Sequence, residues 1–165
     1  MRRPILAMFM LLATASLAAA QTVFVVRHAE RADAGTGGGT MMATDPELSA
    51  AGRARAEALA SALKDAGVTG IFVTEFKRTQ QTAAPLAKLL GVTVQTISSK
   101  DTAALVSRLK SATGNVLVVG HSNTVPDIVK GLGIATPVTI GEADYDNLFV
   151  VTPGERPALV RLHYR

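Results

Sequence analysis

Two histidines and two arginines stand at points of the sequence where a phosphoryl group could be bound and transferred. Arg27 and His28 end a valine-rich run, Arg78 begins a helical pattern, and His121 follows a second valine-rich run. Guanidinium groups suit phosphoryl oxygens because their planar forks donate paired hydrogen bonds. A neutral imidazole is a competent nucleophile near neutral pH. If the four side chains meet, they form a cationic pocket that contains a nucleophile.

The elements around these residues predict a single three-layer α/β domain with a mostly parallel sheet flanked by helices. Ser49 is a suitable N-cap for the first helix, Gly52 inside that helix indicates close packing, and Gly67 suits its C′ position. The Pro153-Gly154 turn predicts that the last two strands form a hairpin. The predicted strands are 22–26, 70–74, 92–97, 115–119, 147–152 and 158–164, and the helices are 50–66, 78–90, 102–112 and 124–131.

This order of elements predicts that four side chains lie at one edge of the sheet: Arg27, His28, Arg78 and His121. Open α/β sheets bind ligands at the carboxyl ends of their strands, and Arg27, His28 and His121 all follow strands. Arg78 begins a helix, where free N–H groups and the helix dipole also attract an anion. Taken singly, such a histidine is more often structural and such an arginine more often a surface residue. A metal site is the alternative use of the two histidines, but the neighbouring arginines would repel a cation.

The third histidine lacks these features. His163 lies in an alternating terminal strand with no accompanying motif, and we interpret it as a strand residue without a catalytic role.

Residues 1–20 have the pattern of a cleaved signal peptide. Arg2 and Arg3 precede an apolar run, and Ala18-Ala19-Ala20 fits the small-residue cleavage rule. The apolar run is shorter than the roughly 20 residues of a spanning helix, so we expect no stable membrane anchor after cleavage. The sequence therefore predicts a periplasmic or secreted protein whose domain occupies residues 21–165.

Composition excludes several classes of function. The chain has no Cys, so neither a disulfide framework nor thiolate chemistry is available. Removing Arg2 and Arg3 lowers the formal charge from +4 to +2, and the chain has no Trp and few aromatic residues. These features argue against a nucleic-acid partner. The sequence gives no indication of oligomeric state.

Four motifs resemble, in order, those of the histidine phosphatase superfamily (phosphoglycerate mutase-like, branch 1, short form). They are VVRHAE, which includes His28, LSAAGRARA from Leu48, TEFKRTQQTA around Arg78, and VVGHSN around His121. The resemblance implies that His28 becomes a phosphohistidine, that Arg27 and Arg78 clamp the phosphoryl oxygens, and that His121 stabilises the transferring group. It implies no cofactor and no metal.

The chain departs from this family in two places. Residue 29 is Ala where the family most often has Gly. Larger members supply a carboxylate after the helix that carries the second arginine, and here that stretch is short. Asp101 is its only carboxylate, and Glu30 and Asp146 are the other candidates for the general acid. Each has a structural alternative, because Asp101 could cap a helix, Glu30 could pair with an arginine and Asp146 could be a turn residue.

The sequence thus predicts a metal-independent phosphatase that acts on a phosphorylated small molecule or phosphoprotein. A protein that binds phosphate ligands without catalysis and a phosphoglycerate mutase-type phosphotransferase are the alternatives. The Gly-rich loop 35–39 after Glu30 is either a lid or a surface connection.

Overall fold

The structure, a computed structural model, describes residues 21–33 and 45–165. The predicted signal peptide 1–20 and the Gly-rich loop 35–39 lie outside these residues. The order of elements is the predicted β-α-β-α-β-α-β-α-β-β. The strands are β1 Val23–Arg27, β2 Val68–Val73, β3 Val94–Thr96, β4 Asn115–Gly120, β5 Asn147–Thr152 and β6 Ala158–His163, and the helices are α1 Ala50–Leu63, α2 Lys77–Leu90, α3 Thr102–Ser111 and α4 Thr124–Gly131.

The six strands form one mostly parallel sheet in the order β3-β2-β4-β1-β5-β6. The strands β3, β2, β4 and β1 run parallel, and the hairpin β5–β6 follows, with β5 antiparallel to β1 and β6 antiparallel to β5. The predicted α/β class and the terminal hairpin are confirmed. Because β1 and β4 are the two central strands, their carboxyl ends lie side by side.

Helices cover both faces of the sheet and give the domain three layers. Along β1, Val23 and Val25 belong to the core on the side of α3 and α4, whereas Phe24 and Val26 belong to the core beneath α1 and α2. This alternation follows from the two-residue period of a strand. Burial on both faces explains why β1 and β4 have nearly continuous runs of valine.

The ends of the helices follow the local sequence, with one exception. The side chain of Ser49 accepts a hydrogen bond from Gly52 N, as expected of an N-cap. Gly91 ends α2 with a left-handed backbone, at φ 66°. The C′ assignment of Gly67 was wrong, because α1 ends earlier and is capped at Lys64. Gly67 instead adopts φ 63° in the turn before β2.

Gly52 allows α1 to pack directly against the segment that follows β1. A Cβ atom at Gly52 would lie 3.0 Å from the main-chain nitrogen of Glu30 and 3.1 Å from its carbonyl carbon, and closer still to its carbonyl oxygen. The close packing indicated by the sequence is thus a contact between a helix and the backbone two residues beyond His28.

No helix in the described part of the chain is both long enough and apolar enough to cross a bilayer.

Candidate active site

The four sequence-predicted residues meet at the carboxyl edge of the sheet. Arg27 is paired with Gly120 in the β1–β4 register, and His28 N donates a 2.9 Å hydrogen bond to Gly120 O. This bond places His28 beside His121, and the two ring centroids are 5.4 Å apart. Arg78 reaches them from the first turn of α2, with its Nη2 atom 3.4 Å from Nδ1 of His121.

The main chain fixes the tautomer of His28. Its Nδ1 atom lies 2.8 Å from Ala29 O, and a carbonyl oxygen can only accept, so Nδ1 carries the proton. Nε2 therefore keeps a free lone pair. Burial, against the opposing bond to Ala29, and the charges of His121, Arg78 and Arg27 together lower the pKa of His28 to about 3. The ring is neutral at neutral pH and can act as a nucleophile.

His121 is held by one donor and one acceptor. Arg78 Nη2 can only donate, so Nδ1 of His121 accepts, and the proton on Nε2 points to Thr74 Oγ1 at 3.0 Å. Burial and the charge of Arg78 lower the pKa of His121 to about 4. The edge of the ring packs against Phe76 at 5.3 Å between centroids, with the planes at 90°. His121 is thus a neutral and rigidly oriented ring.

Arg27 is fixed by the loop between α4 and β5. Its Nη1 atom donates to the carbonyl oxygens of Gly141 and Glu142, each at 3.0 Å, and Nη2 donates to the hydroxyl of Tyr145 at 3.3 Å. The guanidinium also lies over the ring of Tyr145, 4.1 Å from its centroid. These contacts position the cation beside His28 without neutralising it, because no carboxylate takes part.

Arg78 is similarly placed by an aromatic ring. Its guanidinium lies 4.2 Å from the centroid of Phe76, and Nη1 is 3.8 Å from Asp45. Burial lowers the pKa of Arg78, and the nearby charge of Arg31 lowers it further. The Nε atoms of Arg27 and Arg78 are buried and have no hydrogen-bond partner within residues 21–33 and 45–165. An incoming oxyanion could satisfy such donors.

These residues line a polar cleft of about 400 Å³. The cleft suits a small anion because four cationic residues and one acidic residue of the described ranges line it. The lining consists of Arg27, His28, Arg31, Phe76, Arg78, Ser99, Lys100, His121, Ser122, Asn123, Thr124, Glu142 and Tyr145.

Sequence reasoning missed several members of this cleft. Tyr145, Glu142 and Lys100 lie in loops without periodicity, and Thr74, which supports His121 from outside the lining, follows a strand like many other threonines. The only available signal was position, because Thr74 and Lys100 follow β2 and β3 and therefore reach the same sheet edge as the histidines.

The three carboxylates considered as general acids lie elsewhere and have partners. Glu30 forms a bidentate pair with Arg55, with contacts of 2.7 to 3.0 Å. Asp101 is the N-cap of α3, where it accepts from Ala104 N at 2.9 Å. Asp146 lies 3.1 Å from Nδ1 of His163 and 3.6 Å from Nε of Arg165. The residues that line the cleft include none of the three.

Within the described ranges, no group of three or more His, Asp or Glu side chains could hold a metal ion. The donors in the cleft are two imidazoles flanked by guanidiniums, a set that suits an anion rather than a cation.

Comparisons with known proteins agree with this fold. The sequence model of the histidine phosphatase superfamily (branch 1) matches residues 23–99. The solved structure of the alpha-ribazole phosphatase from Shigella flexneri is similar, with a TM-score of 0.69 and 16% identity over 86% of this chain and 96% of that one. A protein histidine phosphatase SixA, solved with tungstate, gives a TM-score of 0.65 and 19% identity over 86% of this chain and 96% of that one.

A 53-residue stretch is also 51% identical to the PE-PGRS family protein PE_PGRS11 of Mycobacterium tuberculosis (strain ATCC 25618 / H37Rv). The match covers 32% of this chain and spans only 9% of that protein.

Proposed function

We propose that the chain is a metal-independent phosphatase of the histidine phosphatase superfamily (branch 1), whose sequence model matches residues 23–99, and that it works through a phosphohistidine. Its substrate is a phosphomonoester or a related phosphoryl compound, on a small molecule or a phosphoprotein. The observation that carries the proposal is the hydrogen bond from Nδ1 of His28 to Ala29 O. It leaves Nε2 as a lone-pair donor in a cleft lined by Arg27, Arg78 and His121.

In the first step, Nε2 of His28 attacks phosphorus and the bond from phosphorus to the leaving oxygen breaks. Phosphoryl transfer depends mainly on positioning and on positive charge around the equatorial oxygens. Arg27 and Arg78, which line the cleft, supply that charge. No metal ion is needed for this role.

His121 contributes when the anion arrives. A phosphoryl dianion opposes the lowering of the pKa of His121 by burial and Arg78. The ring can then take up a proton from water at Nδ1, in place of the hydrogen bond from Arg78, and donate a hydrogen bond to a phosphoryl oxygen, while Thr74 keeps the orientation of Nε2. In the second step water attacks the phosphohistidine, the N–P bond breaks and inorganic phosphate leaves.

The similar structures are named as phosphatases of different substrates. This similarity supports the proposed type of reaction and does not identify the substrate. One similar structure carries the name of an alpha-ribazole phosphatase and another that of a protein histidine phosphatase. The open, strongly cationic cleft of about 400 Å³ could accept the phosphoryl end of either kind of compound.

The test is hydrolysis of p-nitrophenyl phosphate in the presence of EDTA by the wild type, His28→Ala and His163→Ala. The nitrophenolate leaves without protonation, so a weak general acid does not hide the activity. We expect activity in the wild type and in His163→Ala, because His163 lies outside the cleft, and none in His28→Ala. Equal activity in all three would refute the assignment of His28. No activity in any would favour a protein that binds phosphate without catalysis.

A second incubation with a phosphoglycerate distinguishes a mutase. Formation of the isomeric phosphoglycerate would favour phosphotransferase activity, whereas release of inorganic phosphate favours hydrolysis.

We also propose that residues 1–20 direct export to the periplasm or the medium. N-terminal sequencing of exported material should begin at Gln21, and retention of Met1 would contradict the proposal.

A further inference from the structure

The proposed hydrolysis leaves one chemical requirement unassigned. When the leaving group is an alcohol, its oxygen must be protonated as the P–O bond breaks, because an alkoxide is a poor leaving group. A positioned acid typically contributes about 10²–10⁴-fold to such a step. The donor must lie in the cleft, and its proton must not be committed elsewhere.

Most carboxylates near the sheet edge are already engaged. Glu30, Asp101 and Asp146 have the partners described above and do not line the cleft. Two others are held by main-chain donors: Asp45 accepts from Lys77 N at 3.0 and 3.2 Å, and Asp144 accepts from Gly141 N at 2.8 Å, and neither lines the cleft.

Glu75 is near enough to His121 to feel its charge, but both of its carboxylate oxygens already accept hydrogen bonds. One of its oxygens accepts from Ser99 N and the other from Ser99 Oγ, both at 2.8 Å. Burial, the largest single cause, raises the pKa of Glu75, but hydrogen bonds from the main chain and from Ser99, together with the charge of His121, outweigh it and lower the pKa. Its carboxylate is therefore stabilised in the ionised form and is a poor proton donor.

Glu142 differs from all of these. It is the acidic residue among those that line the cleft, and its carbonyl oxygen accepts from Arg27 Nη1 at 3.0 Å. Its main chain is therefore anchored next to the nucleophile. In residues 21–33 and 45–165, its side-chain carboxylate makes no hydrogen bond or salt bridge. The residue is exposed, so water can reach its side chain.

We infer that Glu142 is the general acid that protonates the leaving oxygen of an alkyl phosphate. This inference rests on the proposed phosphatase function. As Nε2 of His28 bonds to phosphorus, the P–O bond breaks and its electron pair stays on the alcohol oxygen, which takes the proton from Glu142. The carboxylate then takes a proton from water as the water oxygen attacks phosphorus. The N–P bond breaks, its electron pair returns to Nε2, and phosphate leaves with Glu142 protonated again.

The experiment compares leaving groups in Glu142→Gln. The measured quantity is kcat/KM, which reports the steps up to departure of the alcohol, for p-nitrophenyl phosphate, phenyl phosphate and a simple alkyl phosphate. Gln keeps the size of the side chain but has no acidic proton. The matched control is Glu155→Gln, which removes an exposed carboxylate in the β5–β6 turn, outside the cleft.

We expect Glu142→Gln to lower kcat/KM about 100-fold for the alkyl phosphate, less for phenyl phosphate, and little for p-nitrophenyl phosphate. Glu155→Gln should match the wild type on all three. Equal loss on every substrate would show that the Glu142 carboxylate does not act on the leaving group, and no loss on any would place the donor elsewhere; either result overturns the inference. A wild type that cleaves p-nitrophenyl phosphate but no alkyl phosphate would also overturn it, while leaving the proposed function standing.

Discussion

Acidification should destabilise this protein through the two buried histidines of the cleft. His28 and His121 are only 5% and 7% exposed, and their pKa values are lowered to about 3 and about 4. In the unfolded chain each would titrate near 6.5. Below about pH 6.5 the two histidines bind protons in the unfolded state but remain neutral in the folded state. The free energy of unfolding therefore falls as pH falls. The full contribution is present above pH 6.5 and is lost progressively towards pH 4 and pH 3.

The size of the effect follows from linkage. At about pH 5 each unfolded imidazole carries nearly one proton and each folded one almost none, so stability changes by about 1.4 kcal/mol per pH unit for each histidine. Integrated from neutral pH to about pH 5, each histidine costs about 2 kcal/mol, and the pair costs about 4 kcal/mol. This loss is large against the roughly 5–15 kcal/mol that stabilises a typical domain.

The assay is urea unfolding at several pH values, followed by far-UV circular dichroism because the chain has no Trp. His28→Asn removes one of the two titrating groups. Its stability should depend on pH less steeply than that of the wild type, by about 1.4 kcal/mol per pH unit near pH 5. His121→Asn should behave in the same way. Ser122→Ala changes a cleft residue that does not titrate and should leave the slope unchanged.

A slope in His28→Asn equal to that of the wild type would refute the reasoning. It would mean that His28 takes up its proton in the folded state as readily as in the unfolded state. The account of a ring kept neutral and nucleophilic by burial and by neighbouring cations would then fail.

Substitutions at three positions test the supports of the cleft. Gly52→Ala places a Cβ against the main chain beyond the nucleophile. It should lower the free energy of unfolding in urea by about 1–3 kcal/mol and should also lower activity. Wild-type values for both quantities would contradict the packing account. Thr74→Val leaves Nε2 of His121 without an acceptor and should cost about 1–3 kcal/mol, with a lower kcat on p-nitrophenyl phosphate; an unchanged kcat would exclude a role in orienting the ring. Tyr145→Leu removes the aromatic face from Arg27 and should raise KM, whereas Tyr145→Phe should raise it less; equal KM values in both variants would exclude the cation–π contact.

The sequence was sufficient for the architecture because β1 and β4 are buried on both faces. Their valine runs and the periodic helices between them are strong signals, and the observed α4 and β5 have the predicted bounds. The shared sheet edge of Arg27, His28, Arg78 and His121 followed from topology alone, since parallel strands bring their carboxyl ends together.

Sequence patterns could not predict the contacts that fix the cleft. Arg27 is held by two carbonyl oxygens, and any residue types at 141 and 142 would provide the same acceptors. Tyr145, one of the two tyrosines of the chain, lies in a loop without periodicity. The error at Gly67 has a similar origin, because a left-handed glycine serves a turn as well as a helix end.

The pairing of β1 with β4 also has a consequence for how the protein folds. Thr22, next to β1, bonds across the sheet to Asn115, which lies 93 residues further along the chain. Long-range pairing of this kind is slow to form, because closing such a loop costs conformational entropy before the strand contacts form and stabilise it. The nucleophile gains its neighbour His121 only when this pairing is complete. During refolding, recovery of activity should therefore trail the appearance of helical structure and report closure of the central sheet.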